Sequence, residues 1–294
     1  MNRPPLPGPA LLGISSFFFA LMATCIGALH GAVPVSQVVA LRFAVGAMAM
    51  ALYFAARRKP PELERWPLLV ARALLGSGGV YFYFVAIGQI GPGPATMLNF
   101  LSPVFAAFFA PYFLNERSSP RLLVGLAVAT GGAVLVALGS GTGGKSLTLA
   151  GVGSGVLSGI LSGAATTTVR GLRQSTSAFT VYFAFCGFGL LFAAPLAATE
   201  WVVLDTRAWL LVVAMSVVSL VGQLVYTYAM GFTETVKAGV ANQLTPVFSF
   251  VFAVLFLGDR PATLTLVGTG LCIAGVLMSL TRRVVGSPAV EPGS

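Results

Sequence analysis

A chain of 294 residues in which 56% are hydrophobic and 9% charged lacks the polar surface of a water-soluble globule, where about 25% charged residues is ordinary. The formal net charge of +9, from 17 Lys and Arg against 8 Asp and Glu, falls in short connectors between apolar runs. That is the positive-inside pattern of a membrane protein and excludes a nucleic-acid-binding surface.

Apolar runs bounded by turn residues predict ten helices, near 9–29, 35–56, 67–89, 94–114, 121–139, 149–169, 177–199, 208–230, 237–257 and 263–281. Each is about as long as a bilayer span requires, and no separate soluble domain is left over. The first run contains Leu21-Met22-Ala23-Thr24-Cys25, faintly like a lipoprotein cleavage site. Only Arg3 precedes it and the apolar pattern continues, so it reads as a first span rather than a removed signal. His30, the one histidine, falls in the following connector.

The second run carries Arg42 about two turns in, placed to attract a substrate carboxylate or to pair with a helix C-terminus. In the third, Arg72 lies near the start and is expected to snorkel back to the interface, while Tyr81 and Tyr83 offer polar tips on apolar bodies. The fourth holds Asn99-Phe100-Leu101-Ser102-Pro103. Proline removes a backbone donor and pushes against the carbonyl four residues earlier, so Pro103 is expected to act as a hinge beside the Asn99 amide.

Between the fifth and sixth runs, Gly139 to Ser146 satisfies GxxxxGK[ST], and Val202-Val203-Leu204-Asp205 could pose as its acidic strand. A phosphate loop needs a strand before it and a helix after it in a nucleotide-binding domain; here the stretch joins two membrane helices, so no ATP is expected. The sixth run spaces Gly151, Gly155, Gly159 and Gly163 four apart, a face for close helix packing. The eighth aligns Ser216, Ser219, Gln223 and Tyr226 on one face. The ninth repeats the proline motif as Asn242-Gln243-Leu244-Thr245-Pro246.

That repetition is general. Displaced by 143 positions, 66–135 overlies 209–278 without a gap and with 23 identities in 70 positions, among them Tyr83/Tyr226, Asn99/Asn242, Pro103/Pro246 and Gly125/Gly268. Five spans separate equivalent positions, so the second half is expected to enter the membrane upside down, as in many secondary transporters. The expected organisation is an all-α polytopic membrane protein of ten helices in two inverted five-helix repeats, 1–140 and 141–283, with 284–294 a disordered tail. Twelve basic residues fall in connectors on one side and three on the other, which predicts both termini in the cytoplasm.

Absences narrow the chemistry. All eight acids lie in connectors, span ends or the tail, so a mid-membrane carboxylate relay for protons is not expected, nor a small multidrug cation antiporter that depends on one. Cys25, Cys186 and Cys272 sit singly in apolar runs and read as packing residues. One histidine and no GxSxG or HExxH leave no hydrolase or zinc site. No metal, cofactor or enzymatic activity is expected.

The chain resembles the drug/metabolite transporter superfamily, in its EamA-like ten-helix exporters. Leu41-Arg42-Phe43 and two proline-to-acid stretches, Pro103 to Glu116-Arg117 and Pro246 to Asp259-Arg260, carry the likeness, the second with Asp in place of the usual Glu. The resemblance implies export of small metabolites, often amino acids, across a bacterial inner membrane by alternating access, with aromatic amino acid exporters as the leading substrate class. Expected substrate contacts are Arg42, Tyr81, Tyr83, Asn99, Gln223, Tyr226 and Asn242, with Pro103 and Pro246 as hinges. The partners are then a small-molecule substrate and the lipid bilayer. The alternatives are a nucleotide-sugar or phosphorylated-metabolite exchanger, or a nontransporting membrane assembly subunit.

Overall fold

The computed structural model describes residues 6–29, 32–90, 92–116, 118–139, 148–252, 255 and 262–280. His30, Arg117, the Asp259-Arg260 pair, most of the glycine-rich stretch before Leu149 and the C-terminal tail lie outside them. Twelve α-helices follow one another among the described residues: α1 Gly8–Ala28, α2 Val35–Arg57, α3 Trp66–Ile90, α4 Pro92–Asn99, α5 Ser102–Leu114, α6 Pro120–Gly139, α7 Leu149–Leu172, α8 Ala178–Thr199, α9 Thr206–Ala229, α10 Thr235–Asn242, α11 Leu244–Phe252 and α12 Thr263–Leu280. Seven helical segments are long and apolar enough to cross a membrane; Pro120–Val136 and Thr263–Met278 are shorter apolar helices. The chain is an all-helical, multi-pass membrane protein.

The predicted fourth and ninth helices are each broken where the proline motif falls. Without an N–H on Pro103 the ladder tightens: Leu101 N–H bonds back to Leu98 O at 3.2 Å and Val104 N–H to Leu101 O at 2.9 Å. α4 therefore ends at Asn99 and α5 starts at Ser102. In the second copy Gln243 N–H turns back to Val240 O at 3.1 Å, separating α10 from α11.

Helices pack in pairs whose partners differ by the 143-residue displacement. α6 and α12 cross antiparallel at a glycine contact. A Cβ on Gly132 would lie 2.6 Å from Gly268 O and 2.5 Å from Cys272 N; one on Gly275 would lie 2.6 Å from Gly125 O and 2.5 Å from Ala129 N. Only glycine permits backbones this close. The displacement carries each of these contacts onto the other. α2 and α8 do the same: Gly46 abuts Cys186 and Tyr182, while Gly189 abuts Phe43. In a like exchange α1 packs on α9 and α7 on α3.

Of the glycines spaced four apart on the sixth predicted helix, Gly155, Gly159 and Gly163 face the broken α4–α5 pair, while Gly151 abuts Ile90 of α3. A side chain on Gly159 would meet Leu98 O at 2.8 Å, and one on Gly163 would meet Ser102 O at 2.7 Å. This stripe is the bed on which the kinked helix lies, with its loosened backbone sealed from lipid.

Candidate substrate cavity

Three helices frame an open cavity. Val35, Ser36, Val39 and Phe43 of α2, Ser77, Val80, Tyr81, Phe84 and Val85 of α3, and Phe192, Ala193, Leu196 and Thr199 of α8, with Glu200 just past its end, enclose a cavity of ≈ 500 Å³. A second, of ≈ 370 Å³, shares Val35, Val39 and Phe84 with it and adds Arg42, Leu29, Val202 and Met215. Volumes of this order suit a small organic ligand held by apolar walls and a few polar groups. Both lie toward the start of α2. That end is pinned by Gln37, whose Nε2 donates to Val202 O at 2.9 Å while its Oε1 accepts from Val202 N–H at 3.0 Å. Ser36 Oγ donates to Glu200 Oε2 at 3.2 Å, which puts a carboxylate at the mouth. Phe43 closes the bottom of the larger cavity, edge-to-face on Phe185 with centroids 5.1 Å apart.

Two of the expected substrate contacts reach these cavities. Tyr81 lines the larger; Arg42 lines the smaller, its guanidinium 5.2 Å from the Phe43 ring centre. The remaining ones are packed between helices. Tyr83 OH lies 2.7 Å from Thr96 Oγ1 and ties α3 to α4. Tyr226 OH donates to Thr166 Oγ1 at 3.2 Å. Asn99 Nδ2 donates to Ser158 and Ser162 at 3.1 and 3.4 Å, which couples the kink to α7. Gln223 is buried, and Asn242 Oδ1 is buried without a hydrogen-bond partner. Pro103 and Pro246 stand at the two helix breaks.

Arg72 does not snorkel. It is only 6% exposed, its guanidinium lies 4.2 Å from the Phe185 ring centre, and its Nε and Nη1 have no hydrogen-bond partner. The reason is on its own helix: Gly76 leaves the space that Nη1 occupies, a Cβ there falling 2.0 Å from it. Composition alone did not reveal this, although an arginine followed four residues later by glycine is the pattern that permits it. Gln243 was also missed. It is 1% exposed, and its Nε2 donates to Phe100 O and Thr130 Oγ1, both at 3.1 Å.

The opposite end of the bundle is fastened by charge. Arg170 Nε donates to Glu116 Oε1 at 2.7 Å and its Nη1 to Met230 O at 2.9 Å; the other Glu116 oxygen accepts Thr235 N–H at 2.8 Å. α5, α7, α9 and α10 thus meet at one carboxylate. Burial by itself raises the Glu116 carboxyl, but the Thr235 N–H and the Arg170 guanidinium outweigh it and hold Glu116 below its ordinary pKa. Arg65 caps Gly171 O at 3.1 Å, and Arg173 bonds Thr227 O and Thr176 O. Burial lowers the Arg173 guanidinium.

A single family model, the EamA-like transporter family, matches the chain twice, over residues 6–138 and 149–281. The pseudopaline exporter CntI of Pseudomonas aeruginosa, from two strains, is 28% identical over 285 residues, covering 95% of this chain and 97% of the relative. A crystal structure of a protein 22% identical superposes with a TM-score of 0.80, over 92% of this chain and 96% of the other, and shares the fold. Two matches that together span nearly the whole described bundle leave one conclusion: the chain belongs to the EamA-like transporter family.

Proposed function

We propose that this protein exports a small amphipathic metabolite of the amino acid class across a bacterial inner membrane. The observation that carries the reading is the cavity pair between α2, α3 and α8. Apolar walls of Val39, Val80, Phe84 and Phe192 accept a hydrocarbon or aromatic side chain, with Tyr81 on one side and the Arg42 guanidinium in the adjoining space for a carboxylate. The relatives named as exporters support the direction of transport.

Transport runs by alternating access between two inverted five-span halves, residues 1–140 and 141–283, hinged at Pro103 and Pro246. The antiparallel crossings of α2 with α8 and α6 with α12 support inversion, because each joins helices that occupy equivalent places in the two halves. Arg57, Arg58, Lys59, Arg65, Arg121, Arg170, Arg173 and Lys237 gather at the end away from the cavity mouth, which supports a cytoplasmic assignment for that end and for both termini. The cavity then faces outward while the Glu116–Arg170 contact holds the inner end shut. No carboxylate within a span favours a carrier driven by its substrate gradient rather than by protons.

The test is efflux of labelled L-phenylalanine from proteoliposomes. The expected result is efflux without an imposed proton gradient, reduced by Arg42→Gln and by Tyr81→Ala at unchanged protein yield. Efflux of none of the twenty amino acids, or efflux only under a proton gradient, contradicts the reading.

A further inference from the structure

Arg72 occupies a position that the open cavity does not explain. It stands six residues into α3, whose first residue is Trp66. Side chains on a helix lean toward its N-terminus, so an arginine here ordinarily reaches back to the nearer interface. Its guanidinium runs the other way and lies over Gly76, one turn further along. Gly76 is ten residues past Trp66, and at about 1.5 Å per residue that is about 15 Å, half of a hydrocarbon core about 30 Å thick. A full positive charge therefore sits at mid-membrane depth, with no ion pair to it among the described residues.

What holds it there is incomplete. The Phe185 face, 4.2 Å away, offers a cation–π contact, yet Nε and Nη1 are buried and unpartnered. Buried guanidinium donors without acceptors are costly, and the missing acceptors are those of an anion. Nε–H and Nη1 lie on different edges of the planar group, so each needs its own acceptor oxygen, and a carboxylate reaching either edge makes a charge-assisted hydrogen bond there.

The route to an anion is also visible. Ser77, five residues along from Arg72 on α3, lines the floor of the larger cavity with Phe43; its Oγ is likewise buried without a partner. Phe43 rests edge-to-face on Phe185, and Phe185 rests on Arg72. Two aromatic rings are all that this line of contacts places between the cavity and the charge.

We infer that Arg72 is the anion-binding residue of a second, inner substrate position beneath the cavity floor. It takes the carboxylate of the cargo when Phe43 and Phe185 part, and the Phe185 ring covers it when the position is empty. Cargo entering from the inner face meets Arg72 first and passes the Phe43–Phe185 pair to reach the outer cavity beside Arg42. This rests on the reading above that the cargo bears a carboxylate.

The test measures binding of three probes to the purified protein in detergent: 3-phenylpropionate, which has the carboxylate alone, phenethylamine, which has the amine alone, and succinate. Arg72→Gln is expected to weaken both carboxylates about tenfold or more, as loss of a charged hydrogen-bond donor does, and to leave phenethylamine unchanged. Arg72→Lys restores part of the loss. Carboxylate affinity unaltered in Arg72→Gln, with only its melting temperature lowered, overturns the site and leaves Arg72 a packing residue. Should Arg72→Gln not fold, Gly76→Ala keeps the charge but displaces Nη1, and the same selective loss is required of it. L-phenylalanine efflux with an unchanged KM in these variants removes the Arg72 site alone. Arg72-dependent binding of succinate by a protein that moves no amino acid removes the amino acid reading and retains Arg72.

Discussion

Gln243 Nε2 donates to the backbone carbonyl of Phe100 across 3.1 Å, and the two residues stand 143 apart. They hold the same place in the two copies of the proline motif. The Phe100 carbonyl is free because Val104, its ordinary partner one turn on, bonds Leu101 instead. The expected loosened carbonyl at Asn99 is thus joined by one at Phe100, and the side chain that captures it comes from the other break. The two kinks are thus joined directly by a hydrogen bond.

Replacing Gln243 with Leu strips the Phe100 carbonyl and Thr130 of their bonds and also removes the unpartnered Gln243 Oε1. The net expectation is a loss of about 1 kcal/mol, read as a lower melting temperature in detergent. Efflux should slow by more than that loss of stability explains, since the variant uncouples the breaks.

Glu116 makes the fastening that joins α5, α7, α9 and α10 dependent on pH. Its carboxyl is held below the ordinary value of 4.5, so its contribution to stability is present in full above that value and disappears as pH falls through the lowered folded-state value. Melting temperature followed downward from pH 6 should therefore show an extra acid-side fall that begins near 4.5. Glu116→Gln should be less stable at neutral pH and lack that part of the fall. An identical acid-side profile in the variant would assign the loss to other groups.

Two glycines on α7 separate packing from propensity. At Gly163 a methyl group meets Ser102 O at 2.7 Å and Ala106 N at 2.9 Å, both backbone atoms of the kinked helix; at Gly153 it meets nothing within 4 Å. Gly163→Ala should cost about 1–3 kcal/mol through overpacking. Gly153→Ala should be neutral or stabilise by up to about 1 kcal/mol, as alanine does in an open helix position. Melting temperatures of the pair, measured side by side, check the difference in sign.

Membrane-spanning helices were legible because apolar run length is a local property, and the break at Asn99 to Ser102 because the missing N–H of Pro103 is local too. The close bed for that break showed in the four-residue spacing of Gly155, Gly159 and Gly163. What could not be read was direction and partnership. Arg72 looked free to reach the interface; Gly76 on its own helix and Phe185 on another turn it inward. Tyr83 and Tyr226, matched across the two copies, carry the polarity of substrate contacts, yet Thr96 and Thr166 occupy their hydroxyls. Arg42 and Tyr81 reach the cavities because of where α2 and α3 lean against α8, a property of the packed bundle.

Alternating access is tested most directly by a single cysteine at Val80, a half-buried residue of the cavity wall, in a background with Cys25, Cys186 and Cys272 replaced. The account predicts that a membrane-impermeant thiol reagent labels Val80→Cys from the outer face, and that adding Glu116→Gln, which loosens the inner fastening, shifts labelling toward the inner face as outer labelling falls. Labelling from both faces at once would make the protein a pore, and labelling from neither would make it a sealed bundle; either result contradicts a carrier.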